Sequence, residues 1–233
     1  MNIGHYLMPF IACLDIGAVP GASVGANYYA ALFEEAVEAI DGDYVREWAY
    51  TETSADSEST TIGRFDPTLP EGERWTLVSI DDREPTATEI AEFAALKSDH
   101  DGDDSSDAGD MVEPDSLTLI EETVDYWLFS FIPAEDEDDE GFFVSVDATL
   151  KIIKDGPYLE YIDMRNNKPF KPRAGVRVKE FLTRLRFGPA APDGPVVPLS
   201  IDVKINARAF LLIGINEAVT IRYSDYEHVG EGT

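Results

Sequence analysis

Asp99, Asp101, Asp103, Ser105, Asp107 and Asp110 fall at positions 1, 3, 5, 7, 9 and 12 of the calcium-loop template, where hard oxygen ligands wrap one Ca2+ ion. Two departures fall where the template is strictest: position 6 carries Asp104 rather than Gly, and position 12 carries Asp110 rather than the longer Glu. Pro114 also discourages a helix leaving the loop at once. A stretch this rich in Asp matches such a template by composition alone. The expected state is therefore a solvated acidic loop, with a calcium site at Asp99, Asp101, Asp103, Asp107 and Asp110 as the alternative. No other cofactor is expected.

The remaining chemistry is sparse. His5, His100 and His228 lie in the N-terminal segment, the acidic loop and the C-terminal tail, so no catalytic triad has a core setting. No glycine-rich phosphate loop follows a strand, and the carboxylates are too numerous for any pair to stand out. No catalytic residue is assigned and the chain is expected not to be an enzyme; an enzyme whose site is invisible at this level stays open as an alternative. Arg165, Lys168, Lys171, Arg173, Arg177 and Lys179 form a basic cluster. Such a cluster offsets acidic surroundings or solvates a sheet face; alternatively it docks an acidic partner or anionic lipid head groups, making the chain an interaction or scaffold module. Phe170 sits inside it, in turn-forming Asn166-Asn167-Lys168-Pro169-Phe170-Lys171-Pro172, as an anchored loop aromatic or part of that contact.

The 233 residues carry 46 Asp and Glu against 18 Lys and Arg, a net charge of -28. A nucleic-acid partner is not expected, because phosphate binding needs a basic footprint that the chain as a whole lacks. Residues 1–150 hold 36 of the acids and only 5 of the bases, so the two halves attract each other.

The elements that must position these groups are mostly strands. Phe142, Val144, Val146, Ala148, Leu150 and Ile152 share one parity, and Leu199, Ile201, Val203, Ile205, Ala207 and Ala209 another, with polar residues between them. Val219, Ile221 and Tyr223 continue the pattern, and Gly214-Ile215-Asn216 reads as the hairpin turn before them. Val176 and Val178 stand out of phase with Phe181, Leu185 and Phe187, which predicts a β-bulge near Lys179-Glu180. Tyr44 to Thr53, Thr60 to Phe65 and Arg74 to Ile80 read as strands, as does Tyr126 to Ile132, apolar on both parities and so expected to be covered on both sides. Tyr29, Leu32, Phe33, Ala36, Val37 and Ile40 form a helical stripe over residues 27–40. Thr86 and Glu89 form a capping box, so a second helix should begin at Ala87.

Cys13 is the single cysteine, so no internal disulfide exists. Residues 6–14 are an apolar patch followed by Val24-Gly25-Ala26, which fits a signal-peptide cleavage site; a packed N-terminal segment is the alternative. The expectation is a signal peptide over 1–26, then one domain over 27–233 with acidic loops at 99–113 and 134–141, periplasmic or envelope-associated, with a cytoplasmic location as the alternative. No stretch is apolar for long enough to span a membrane.

The order of elements, ending in Ile221-Arg222-Tyr223-Ser224-Asp225-Tyr226, resembles the bacterial periplasmic lipoprotein-carrier (LolA-like) superfamily. Arg64-Phe65-Asp66-Pro67, Trp75-Thr76-Leu77 and Pro85-Thr86 are similar to segments of uncharacterised bacterial envelope proteins. The superfamily resemblance implies a half-barrel with an apolar cavity for acyl chains. The expected fold is α+β, a curved, mostly antiparallel sheet of about nine strands covered by two main helices. Two helices cannot cover nine strands. An apolar cleft follows, in which Trp48, Tyr50, Val146, Leu150, Val203, Ile205, Val219 and Ile221 would hold a hydrophobic small molecule, acyl chain or lipidated protein; the alternative is a filled interior.

Overall fold

The computed structural model describes residues 22–40, 44–98, 108–134, 142–172, 175–209 and 213–230. Among these residues the chain is α+β: one curved, open antiparallel sheet of ten strands, not closed into a barrel, with two helices of more than one turn. Helix α1 spans Ala22–Glu38, running across Val24-Gly25-Ala26. Leu32, Phe33 and Ala36 are buried along its stripe, and Glu34, Glu35 and Glu38 are exposed, as the helical spacing requires.

Tyr44–Glu47 is a single helical turn, α2, not the start of a strand. Strand β1 begins at Trp48 because its neighbour, the last strand of the chain, ends opposite it at His228, and Val229 then donates its amide to the Glu47 carbonyl at 2.8 Å. Beyond that bond no partner strand continues alongside, and Tyr44–Glu47 take a helical turn instead. Strands β1 (Trp48–Ala55), β2 (Thr60–Phe65) and β3 (Trp75–Ile80) form a meander.

Helix α3 spans Ala87–Ser98, and the capping box is formed: the Thr86 amide donates to Glu89 Oε2 at 2.7 Å, and the Glu89 amide to Thr86 Oγ1 at 3.3 Å. Strands β4 (Thr118–Glu122) and β5 (Tyr126–Ser130) form a hairpin. The expectation that Tyr126 to Ile132 is covered on both sides is corrected. The strand ends at Ser130, Phe129 and Phe131 are buried, and Ile132 is 62% exposed. Among the described residues no second layer covers the other face; the Lys151 ammonium lies 4.3 Å from the Tyr126 ring centroid, and such a lysine stem covers apolar surface while its charge stays in water.

Strand β6 (Val146–Ile153) starts later than its alternation suggests, because Phe143–Ser145 is a 3-10 turn. That turn rotates about 120° per residue rather than the near 180° of a strand, so Val144 leaves the buried face and is 83% exposed. Strands β7 (Tyr158–Asn166), β8 (Val176–Pro189), β9 (Val196–Ala209) and β10 (Ile213–His228) complete the sheet, in the order β3-β2-β1-β10-β9-β8-β7-β6-β5-β4. The bulge predicted at Lys179-Glu180 is present: Val178 faces Ala207 and Glu180 faces Asn206, leaving Lys179 unpaired in the ladder. The β9–β10 hairpin exists, but Gly214, Ile215 and Asn216 lie inside β10, opposite Arg208, Ala207 and Asn206. An Asn206–Asn216 side-chain bond of 3.0 Å ties the strands there, so the connection comes earlier in the chain.

Candidate ligand-binding face

Cross-strand partners lie on the same face of a sheet, and along each strand the faces alternate, so the register assigns every side chain. One transverse row runs Phe129, Leu150, Ile162, Leu185, Ile201, Ile221 and Ser54 from β5 to β1. Glu52, two residues from Ser54, shares that face, as do its partner Gly63 and the partner of Gly63, Leu77.

Helix α1 covers one end of this face. Leu32, Phe33 and Ala36 pack with Phe129, Leu150, Ile162 and Leu185, and the Tyr29 ring meets Phe129 at 5.1 Å in an edge contact. Helix α3 covers the other end. The Phe93 ring meets Trp75 at 6.2 Å, and Gly63 makes room for it, since a Cβ there would stand 2.7 Å from the ring tip. Lys97 donates to both Glu52 oxygens, at 2.7 and 2.9 Å, with its ammonium 4.2 Å from the Trp75 ring centroid.

Between the helices burial falls away. Along the transverse row Phe129, Leu150 and Ile162 are 0% exposed and Leu185 5%, whereas Ile201 and Ile221 are only partly buried. In the adjacent row Val203 faces Val219; Val203 is 39% exposed and Val219 partly buried. Ile205 is likewise half-buried, beside Phe181. The two central strands thus present an aliphatic band that neither helix seals, ending at the exposed Glu217 opposite Ile205.

The eight side chains expected to line a cleft separate accordingly. Val203, Ile205, Val219 and Ile221 are brought together in the band. Leu150 and Val146 belong to the core associated with α1. Tyr50 is 5% exposed inside an aromatic cluster with Phe65, Trp75, Tyr223 and Tyr226, and Trp48 stands against His228 at the end of β1. Ile201 was missed as a member of the band; it stood in the same alternating run as Val203, but parity alone does not say how far a helix reaches.

A second bulge shapes this region. Thr51 faces Ser224 and Ala49 faces Glu227, so β10 carries an extra residue, and Asp225 within it has φ 53°. The phase change turns Tyr223 and Tyr226 both toward Tyr50, and the Tyr226 hydroxyl donates to the Pro198 carbonyl at 2.6 Å.

The basic cluster surrounds the β7–β8 connection. Arg165 and Arg177 stand on the opposite, outward face of the sheet, and Lys179 is the bulge residue. Lys168 and Lys171 are exposed in the β7–β8 connection, and Arg173 lies outside the described residues. Phe170 is the anchored loop aromatic: it is 8% exposed, exchanges two 2.9 Å backbone bonds with Val178 and packs on Phe142. Of the calcium-template residues, Asp99, Asp101, Asp103 and Asp107 lie outside the described residues, and Asp110 is exposed in the turn that follows.

The class these observations define is an open antiparallel sheet with a helix at each end of one face. No family model matches the chain, and no curated protein or solved structure is significantly similar to it. No helix among the described residues is long and apolar enough to cross a membrane.

Proposed function

We propose that the chain is a non-enzymatic binding or carrier protein of the bacterial envelope, holding a hydrophobic ligand, an acyl chain or a lipidated partner along the inner face of β9 and β10. The observation that supports this most directly is the burial gradient. Residues of one transverse row pass from 0% exposed beneath α1, at Leu150, to partly open at Ile201 and Ile221, beside Val203 at 39%. Ten strands at about 4.8 Å span roughly 45 Å, and two helices each about 10 Å across leave the middle uncovered. An aliphatic strip flanked by two helices suits a chain-like apolar ligand, which would gain about 25 cal/mol for each Å2 removed from water.

The test is saturable binding of a fluorescent fatty-acid probe to the intact protein. Val203→Glu is expected to weaken binding strongly while the fold survives, because that side chain already reaches water; the buried position Leu150 does not offer so clean a variant. A wild-type protein that binds neither fatty acid nor acylated peptide overturns the reading.

The envelope location rests on the apolar patch at residues 6–14 and on Val24-Gly25-Ala26. Cleavage there would leave α1 starting at Asn27, a residue type that caps helices well, with its buried stripe from Leu32 intact. Intact-mass measurement of the native protein is expected to give a chain beginning at Asn27. Retention of residues 1–26 would remove the export part of the proposal and leave the ligand part standing.

A further inference from the structure

On the face opposite the aliphatic band, arginines are set against one another across neighbouring strands. On its central strands Arg177 is the direct cross-strand partner of Arg208, and Arg186 and Arg222 flank Ser200 from either side. All four arginines are exposed, and among the described residues none makes an ion pair or a side-chain hydrogen bond. Like charges directly opposite in a sheet destabilise it, and this chain has 46 acids from which a counter-charge could be drawn.

Neighbouring cations on the same face do have such partners. Arg184 is bonded to Asp163, and Lys204 reaches Glu180 at 2.8 Å. Internal neutralisation is thus available on these strands and absent at two spots, each holding two arginines. Arg177 and Arg186 are nine positions apart along β8, which places the spots roughly 30 Å apart along the strand direction.

We infer that this outward face is a docking surface for an acidic protein, whose carboxylates complete the Arg177–Arg208 and Arg186–Arg222 pairs. Guanidinium groups bind carboxylates through two parallel hydrogen bonds, which makes fixed, separated arginines selective for carboxylates held at matching positions. A bilayer senses charge averaged over a Debye length of about 8–10 Å, and Asp163, Glu180 and Asp202 on the same face lower that average. The mosaic therefore favours a protein over an anionic lipid surface. Because the aliphatic band lies on the other face, both can be occupied at once, and this inference stands without the ligand proposal.

The experiment uses the full chain and a fluorescein-labelled Glu-rich peptide of about ten residues, long enough when extended to span roughly 30 Å. Anisotropy at low salt is expected to show saturable binding that weakens as salt is raised. Arg186→Gln/Arg222→Gln and Arg177→Gln/Arg208→Gln are each expected to weaken it about ten-fold, and Arg74→Gln/Lys154→Gln, which removes two charges elsewhere, less than about two-fold. Circular dichroism checks that the variants fold, as substitutions of exposed residues should. No saturable binding, or an equal loss from the control pair, overturns the inference. Binding to phosphatidylglycerol vesicles in place of the peptide overturns it in favour of a membrane surface.

Discussion

Glu89 shows how much one side chain can organise in an exposed setting. The Arg83 guanidinium grips both of its oxygens at 2.6 and 3.0 Å, and the Thr86 amide and hydroxyl add to that grip. Together they hold its carboxyl down to about 2 from an ordinary 4.5. A carboxylate with a depressed folded-state pKa contributes stability that is complete above its unfolded value and is lost as pH falls through the folded value. Its share of the α3 start is therefore full above about pH 4.5 and gone below about pH 2. Other carboxylates titrate in the same window, so the informative quantity is a difference: the melting temperature of wild type minus that of Glu89→Gln. That gap is expected to be open at about pH 6 and to close as pH approaches about 2. A gap that does not narrow would mean that Glu89 acts through packing and not through its charge.

Among the elements, α3 and β10 are held by unlike means. Helix α3 leaves Ile90 46% and Leu96 59% exposed, so its own apolar stripe does little. Its place on the sheet is set by Phe93 over Gly63 and by Lys97, whose ammonium closes on Glu52 where the carboxylate is 8% exposed. A partly buried pair of this kind fixes position more than it adds stability, since both charges give up water. Strand β10 is aligned by backbone geometry instead. The Asp225 bulge swaps its phase, which is why Tyr223 and Tyr226, three apart in sequence, both reach Tyr50. Each element satisfies a local rule, and the contact that places it comes from residues far along the chain.

For the whole molecule, the open question posed by two helices over ten strands is where the core ends. Along the transverse row the burial gradient locates that boundary between β8 and β9, and substitution energies should follow it. Leu150→Ala, under α1, is expected to cost about 3 kcal/mol, through lost transfer energy and the cavity left behind. Val203→Ala, with part of its side chain already in water, is expected to cost less than about 1 kcal/mol. Urea unfolding curves measure both. Equal costs would make the band part of a filled core and would weaken the case for a ligand there.

Local features were legible in the order of the amino acids. Period-2 runs placed the strands, the Thr86–Glu89 box marked the first turn of α3, and the phase slip at Lys179 marked a bulge, because each depends on hydrogen bonds or side-chain directions within a few residues. That order also led to Val203, Ile205, Val219 and Ile221 as one surface, since alternation holds along paired strands. The same reasoning misplaced Tyr44–Glu47, Val144 and Gly214-Asn216, where strand-like composition met a missing neighbour, a 3-10 turn and a longer ladder. Only the tertiary structure decided that β1 pairs with β10, that both helices lie on one face at opposite ends, and that Arg186, Arg208 and Arg222 share the other face with Arg177. Those outcomes depend on which strand lies beside which. Strand neighbours are chosen by packing over the whole chain, and no window of sequence contains that information.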